Sequence, residues 1–559
     1  MTTVSPSSTE ELSPDPPESA AESNHWFSFV WHSLLAIADR ANPILVKATR
    51  QALKSRQFVV TFIIVLIACW IASFSMETIV GPGVYFVAAG AEMLQVYAAI
   101  LSFPLMLIVP YTAFRSLASE QEENTYDLLS ITTLSTGQII TGKLTSAIVQ
   151  MLVYLSAVSP CIAFTFLLRG VDALTVLTLL GYLVLTSLGL SMIALLMGTL
   201  VRVKYTQVMI SVLLVLGLFG CFSMAVELIG EFIPNSPYFL REKEFWIASL
   251  AFLTLYVTTF ILLHAAASAQ IAFNSENRST PLRRIMLVQQ ASFIGWMAAV
   301  PLLNPDHPEA LNFATFITCM LSGIYWYFVG TLMTSEWPHL SRRVQRSLPQ
   351  SQLGKIFLTW LNPGPGTGYM FVVSNLTLLM LVGLLFLSTY SFVGWGGGLN
   401  DEQAFFFYTI GWSYVVFYLG FGKLLISFTR RFAFVSLTAG FLLHAILLMV
   451  GCFAPLIVTF MSSSTQFGND YSLLHVSNPL WTLAELLDNG ASAIDAWVVL
   501  FVVGTAAIVV LLLNLSTLAS EIQHHRRSLP ERVAEDEAML HPEPEEGPSN
   551  PWEAEESQA

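Results

Sequence analysis

Acidic side chains recur at helical spacing where a long apolar stretch gives way to a polar turn: Glu120, Glu123 and Asp127 fall at i, i+3 and i+7. On a helix from about Phe114 to Leu129 they form one stripe, opposite Ala118, Thr125 and Leu129. A row of carboxylates with Glu122 beside it and no nucleophile or imidazole in the set does electrostatic work: it pairs with cations on another element or another protein. Ser130 to Leu134 breaks the helix, and Ser135 opens another with Gln138 three residues on, a capping-box arrangement. That helix continues through Gly142 and Lys143 into apolar sequence. A solvated loop that only sets orientation is the alternative reading of the same residues.

Other chemistry is sparse. Glu77, Glu92, Glu227, His264, Lys423 and His444 lie in or near apolar runs, most of them near run ends, where reaching water costs little. Glu92 is expected deeper, as a polar site within the membrane. No HExxH spacing or His/Asp/Glu cluster is present, so neither a metal nor a catalytic residue is expected. The five cysteines, Cys69, Cys161, Cys221, Cys319 and Cys452, sit inside apolar runs without CxxC spacing and read as small packing residues. There is no G-x-x-x-x-G-K-[ST] phosphate loop, so the chain is not expected to be an ATPase.

The elements that must position these residues are membrane spans. With 54% hydrophobic and 11% charged residues and a mean hydropathy of +0.64, a chain of 559 residues has far fewer charges than a soluble one needs. Runs long enough to cross a hydrocarbon core recur near 58–80, 85–113, 144–168, 173–200, 207–229, 245–268, 286–303, 310–333, 370–393, 404–427, 432–460 and 493–516. These predict an all-α polytopic membrane protein with about twelve transmembrane helices, the seventh interrupted by Gln289 and Gln290. With both termini cytoplasmic, 22 of the 25 Lys and Arg residues fall inside; only Arg169, Arg241 and Lys243 fall outside. The location expected is the cytoplasmic (inner) membrane.

Before the first span, Asn42-Pro43 opens ILVKATRQALKSR. Ile44, Leu45, Ala48, Ala52 and Leu53 fall on one half of a helical wheel, and Lys47, Arg50 and Lys54 on the other. This predicts an amphipathic helix on the cytoplasmic leaflet, with Pro43 in its first turn; a topology signal with no mechanical role is the alternative. The net charge of −13 resides in the tails: residues 1–24 and 528–559 are acidic and rich in Ser, Pro and Glu, and the body is near neutral. No nucleic-acid partner is expected. The chain is read as 1–40, a disordered tail and approach segment; 41–270, the amphipathic helix plus six spans; 271–520, six further spans; and 521–559, a disordered acidic tail. Within 461–493, PLWTLAELLDNG predicts a short helix at the outer interface.

The run Glu120-Gln121-Glu122-Glu123-Asn124-Thr125-Tyr126-Asp127-Leu128-Leu129, then Thr132-Thr133-Leu134-Ser135 and Ile139-Ile140-Thr141-Gly142-Lys143, resembles the segment of ABC-2 type transporter permeases that reads approximately E-R-E-x-G-T-x-E-L-L, T-P-L-S and I-L-x-G-K. The helix from Asn42 is similar to that family's elbow helix. Gln121, Asn124 and Thr133 depart from the pattern's Arg, Gly and Pro. The resemblance covers roughly residues 40 to 270. It implies a cytoplasmic coupling helix between the second and third spans, with Glu120, Glu122, Glu123, Thr125, Asp127, Leu128, Leu129 and Ser135 seated against a separate nucleotide-binding subunit. That partner would hold ATP and Mg, with no cofactor in this chain. The elbow residues would be Asn42, Pro43, Lys47, Arg50 and Lys54, with Gly142 and Lys143 starting the third span and Glu120, Glu122 and Glu123 pairing with basic groups on the elbow or the ATPase. The function implied is the permease subunit of an ATP-driven exporter, alone or with a second copy of itself. The alternative is a non-transporting membrane scaffold or assembly factor.

The second half leaves two readings open, a degenerate permease repeat or an accessory bundle. Asn362-Pro363 matches Asn42-Pro43, and SNPLW before the twelfth span matches NSPYF before the sixth, but only four spans follow Asn362.

Overall fold

The computed structural model describes residues 43–80, 89–122, 134–201, 204–273, 276–303, 308–338, 341, 344, 359–392, 401–462, 471–490, 495–526 and 531–540, and every regular element among them is helical. The chain divides into two units, Met1–Ala272 and Phe273–Ala559, two residues beyond the expected break.

In the first unit, helix α1 (Pro43–Leu53) precedes α2 (Arg56–Val80). Helices α3 (Gly90–Phe103) and α4 (Val109–Glu122) form one rod, joined through a wide π turn at Pro104–Ile108. Pro104 has no N–H to donate, so the hydrogen-bond ladder must loosen there. Then follow α5 (Thr136–Leu167), α6 (Ala173–Thr199), α7 (Lys204–Phe239) and α8 (Lys243–Ile271). The α3–α4 rod is the axle of this unit: Leu94, Tyr97, Ala98, Leu101, Leu105 and Val109 are wholly buried. By contrast α8 is apolar yet buries only Ala267 and Ile271, as a helix facing lipid would.

The second unit contains α9 (Ser279–Leu303), α10 (Pro308–Thr334), α11 (Pro365–Phe392), α12 (Asp401–Thr429), α13 (Leu437–Ser462), the short α14 (Pro479–Asn489), α15 (Ala496–Arg526) and α16 (Glu531–Leu540). Counting α3–α4 once, the described residues of each unit form six long helices. In the first unit the second long helix touches the first, third, fourth and fifth; the fourth touches the third, fifth and sixth; and the third touches the sixth. The same pairs meet in the second unit, with α9, α10, α11, α12, α13 and α15 in those six places.

Eleven helices among the described residues are long and apolar enough to cross a membrane, and the chain is a multi-pass membrane protein. The one missing from the expected twelve or so is the seventh. The segment expected as the seventh span does form a helix, α9, but Arg283, Arg284, Gln289 and Gln290 lower its hydropathy. Its polar groups turn inward: Tyr325 Oη donates to Gln289 Oε1 at 2.9 Å, and Gln290 Nε2 to the Asn375 carbonyl at 3.0 Å.

Two further expectations are corrected. The second long helix starts at Gly90, so Glu92 is exposed in its first turn rather than deep in a span. Its N-terminal place is a favourable one for a carboxylate. The acidic C-terminal tail is not wholly irregular, since Glu531–Leu540 is helical; Glu, Ala, Arg, Met and Leu are strong helix formers. The expected short helix in PLWTLAELLDNG is α14, capped by Asn478, whose Oδ1 accepts from the backbone N–H groups of Leu480 and Trp481 at 3.1 Å each.

Candidate functional site

Helix α1 is amphipathic as its sequence dictates. Ile44 is buried, Leu45, Ala48, Ala52 and Leu53 are half-buried, and Pro43, Lys47, Arg50 and Lys54 are exposed. Its apolar face lies against α5, and Ile44 and Leu53 join the core of the first unit.

At the far end of the α3–α4 rod, Glu120 stands between two cations. Lys143 Nζ, from the second turn of α5, lies 2.8 Å from Glu120 Oε2 and donates to the Ser116 carbonyl at 2.8 Å. Lys47 Nζ of α1 lies 3.8 Å from Glu120 Oε1. The Lys143 side chain is 2% exposed, that of Glu120 16% and that of Lys47 64%. The Lys143–Glu120 pair is therefore a largely desolvated ion pair, and the Lys47 contact is a solvent-screened one of small worth.

Three elements are thus tied at one carboxylate: α1 through Lys47, the second long helix through Glu120, and the third through Lys143. Further along, Thr112 Oγ1 donates to Gln150 Oε1 at 3.0 Å, a second polar tie between α4 and α5. Ser187 Oγ of α6 donates to the Leu105 carbonyl at 2.5 Å, within the π turn whose backbone pairing Pro104 loosens. The third long helix begins as its sequence requires. Ser135 Oγ accepts from the Gln138 N–H at 3.3 Å while Gln138 Oε1 accepts from the Ser135 N–H at 2.9 Å, a reciprocal cap. Gly142 is buried in the first turns of the same helix.

Of the residues singled out in sequence, Lys47, Glu120 and Lys143 come together at this helix end, while Ser135 caps α5 and Gly142 is buried within it. Arg50 and Lys54 are exposed on α1, and Glu92 lies at the start of α3, opposite the end that holds Glu120. Glu122 ends α4. Asn42, Glu123, Thr125, Asp127, Leu128 and Leu129 lie outside the described residues. The pairing of Glu120 with a basic group on α1 matches expectation. Its burial against Lys143 does not follow from the acidic-stripe reading, which presents Glu120 to a partner. A Lys eight residues into an apolar helix is the signal that could have found it, since such a cation needs an anion nearby.

The second unit carries a larger polar layer that the sequence reading missed. Arg283 is fully buried at the start of α9, with Nη2 3.0 Å from Glu336 Oε2 just beyond α10. Its Nη1 donates to the carbonyls of Trp360, at 2.9 Å, and Asn362, and to Thr367 Oγ1 at 3.2 Å. Glu336 also accepts from Ser279 Oγ at 2.7 Å and from the Gly364 N–H at 2.8 Å. Beside it, Glu521 Oε2 of α15 accepts from the Gly366 N–H at 2.8 Å, and Arg430 Nη2 donates to the Ser335 carbonyl at 2.7 Å. Burial holds the Arg430 guanidinium below its ordinary value, with Glu521 pulling it back up. The Asn362–Gly366 loop is thus laced to the ends of α9, α10 and α15 by charged side chains. Arg283 and Glu336 are separated by a whole helix hairpin in sequence, which is why spacing alone did not pair them.

Among the described residues, no three His, Cys, Asp or Glu side chains converge as metal ligands. No family model, curated protein or solved structure matches this chain.

Proposed function

We propose that this chain is the permease subunit of an ATP-driven ABC-2 type exporter of the cytoplasmic membrane, working with a separate nucleotide-binding subunit. What carries the reading is the ionic tie at Glu120. It joins the amphipathic α1 and the second and third long helices at the point where the chain leaves α4 for the acidic segment, and it coincides with the residues that resemble the family's coupling segment. In this reading α1 is the elbow and the segment from Arg115 to Ser135 is the coupling region. A push on that segment would reach α4 through the backbone and α1 and α5 through Lys47 and Lys143, tilting the spans that bound a central path. ATP and Mg belong to the partner.

The repeated helix pairs support reading 273–520 as a degenerate second permease half rather than an accessory bundle. The register differs from the one the Asn-Pro motifs imply. Asn362-Pro363 precedes the third long helix of its unit, while NSPYF ends the fifth long helix of the first unit and SNPLW follows the fifth of the second, opening α14. In this register Ser119-Glu120 and Ser335-Glu336 both close the second long helix, each glutamate held by a buried cation. Helix α9 would then be the twelfth crossing: at 25 residues it spans about 37 Å, enough for a core of about 30 Å. An even number of crossings puts both termini on one face, and the Lys and Arg distribution favours the cytoplasmic one. One chain would engage two nucleotide-binding subunits, without a second copy of itself.

Purification of the full-length chain from its own membranes tests this reading. A co-purifying protein with a G-x-x-x-x-G-K-[ST] loop, retained after removal of residues 1–40 and 541–559, is the result expected. A non-transporting scaffold, the second reading, would instead lose its partners with the acidic tails and bring down no such ATPase.

A further inference from the structure

The second unit contains a cavity of about 150 Å³ among α10, α11, α12, α13 and α14. Its floor is made of missing side chains. Gly323 of α10 and Gly411 of α12 both line it, and a methyl placed on Gly323 would meet only a Val415 methyl, at 4.0 Å. Met320 and Met380, soft and unbranched, make up part of the wall.

Aromatic side chains with polar atoms also line the cavity, and each such atom is already engaged elsewhere. Tyr414 Oη donates to the Val476 carbonyl at 2.5 Å, Tyr418 Oη to the Ser477 carbonyl, Tyr327 Oη to the His444 carbonyl at 3.2 Å and Trp412 Nε1 to Thr377 Oγ1 at 2.9 Å. Tyr408 bonds to Thr318. With these donors used, a ligand bearing a hydroxyl, amide or charge would lose its water and gain no partner, at a cost that excludes it. An apolar cavity of about this size is known to stay dry and to admit a benzene-sized guest. The rim includes Ile324 and Leu480, both large, apolar and exposed. Ile324 lies within a helix long and apolar enough to cross the membrane, so the surroundings at the rim are hydrocarbon.

We infer that this cavity holds a segment of one acyl chain of a membrane phospholipid, inserted between α10 and α14. The chain fills the space left by Gly323, and its headgroup stays outside the protein. Hydrocarbon is the one chemistry that the wall accepts and the bilayer supplies at that depth.

Photo-crosslinking of the full-length protein in nanodiscs made with a phosphatidylcholine carrying a diazirine in its acyl tail tests the site. Adducts are expected to concentrate on Met320, Met380 and Leu448 relative to lipid-facing residues such as Trp70 and Phe219. Gly323→Leu, which puts side-chain carbon into the cavity, should lower those adducts about tenfold, the factor that ~1.4 kcal/mol corresponds to, and leave labelling at Trp70 unchanged. Leu480→Asp is the second variant. It adds a carboxylate at the rim, on the second residue of α14, where a helix N-terminus tolerates it, and the same loss is expected. Even labelling of lining and lipid-facing residues, or adducts undiminished in both variants, overturns the assignment.

Discussion

Lys143 buries its ammonium 2.8 Å from the Glu120 carboxylate, joining the start of the third long helix to the end of the second. Removing one partner leaves the other without its counter-charge in a place that water hardly reaches. Glu120→Ala should therefore cost about 3 kcal/mol in the detergent-solubilised protein, while Glu120→Leu combined with Lys143→Met should restore most of it. Unfolding midpoints of Glu120→Leu, Lys143→Met and their double variant check this; additive losses would show that the two side chains do not interact.

In the second unit Glu336, just past the end of the second long helix, pairs with Arg283 of the first long helix, a cation with no exposed side-chain surface. Glu336→Ala strands a guanidinium with no exposed surface and frees the N–H of Gly364, so its cost should be about 3–5 kcal/mol, larger than that of Glu120→Ala. Arg283→Lys should not rescue, because an ammonium cannot reach Glu336 and three oxygens of the 360–367 segment in one plane. Chemical denaturation of both variants reads this out.

Helix α9 carries the topology. If it crosses, a single cysteine at Asn304 in a cysteine-free background is labelled by an impermeant maleimide from outside intact cells, and one at Glu276 only after lysis. Labelling of both positions on one side would return the count to eleven and place the termini on opposite faces.

Ser135 caps α5 by a reciprocal bond with Gln138. Ser135→Ala should cost about 1 kcal/mol and Ser135→Asp almost nothing, because an Asp oxygen accepts the same N–H. Protection of the Thr136–Thr141 amides in hydrogen exchange would fall in the first variant alone.

Much of this arrangement is legible in sequence because the bilayer is a strict solvent. Spans must be long and apolar, so each of the eleven candidate crossings overlaps an expected run, the largest differences being the earlier start of the third and the later end of the fifth. The amphipathic wheel of α1 and the Ser135 cap follow from local spacing. Arg283–Glu336 and Glu120–Lys143 do not, because each joins residues on different helices and periodicity reports only on one. Helix α9 is less apolar than most of the expected spans because of its glutamines, and only the packed bundle shows that they face Tyr325 and Asn375. The shared packing of the two units is invisible to residue matching, since it resides in which helices touch, and the Asn-Pro motif pointed to a different register.

The most direct measurement is retention of the proposed nucleotide-binding subunit by the full-length chain carrying Glu123→Lys and Asp127→Lys, two charges within the proposed coupling segment that leave Glu120 and Lys143 unaltered. The account predicts that the variant folds with an unchanged unfolding midpoint and retains the ATPase subunit about tenfold less well than the unaltered chain, a change of ~1.4 kcal/mol. Full retention of the subunit, with ATP-driven transport intact, would contradict the coupling role of this segment.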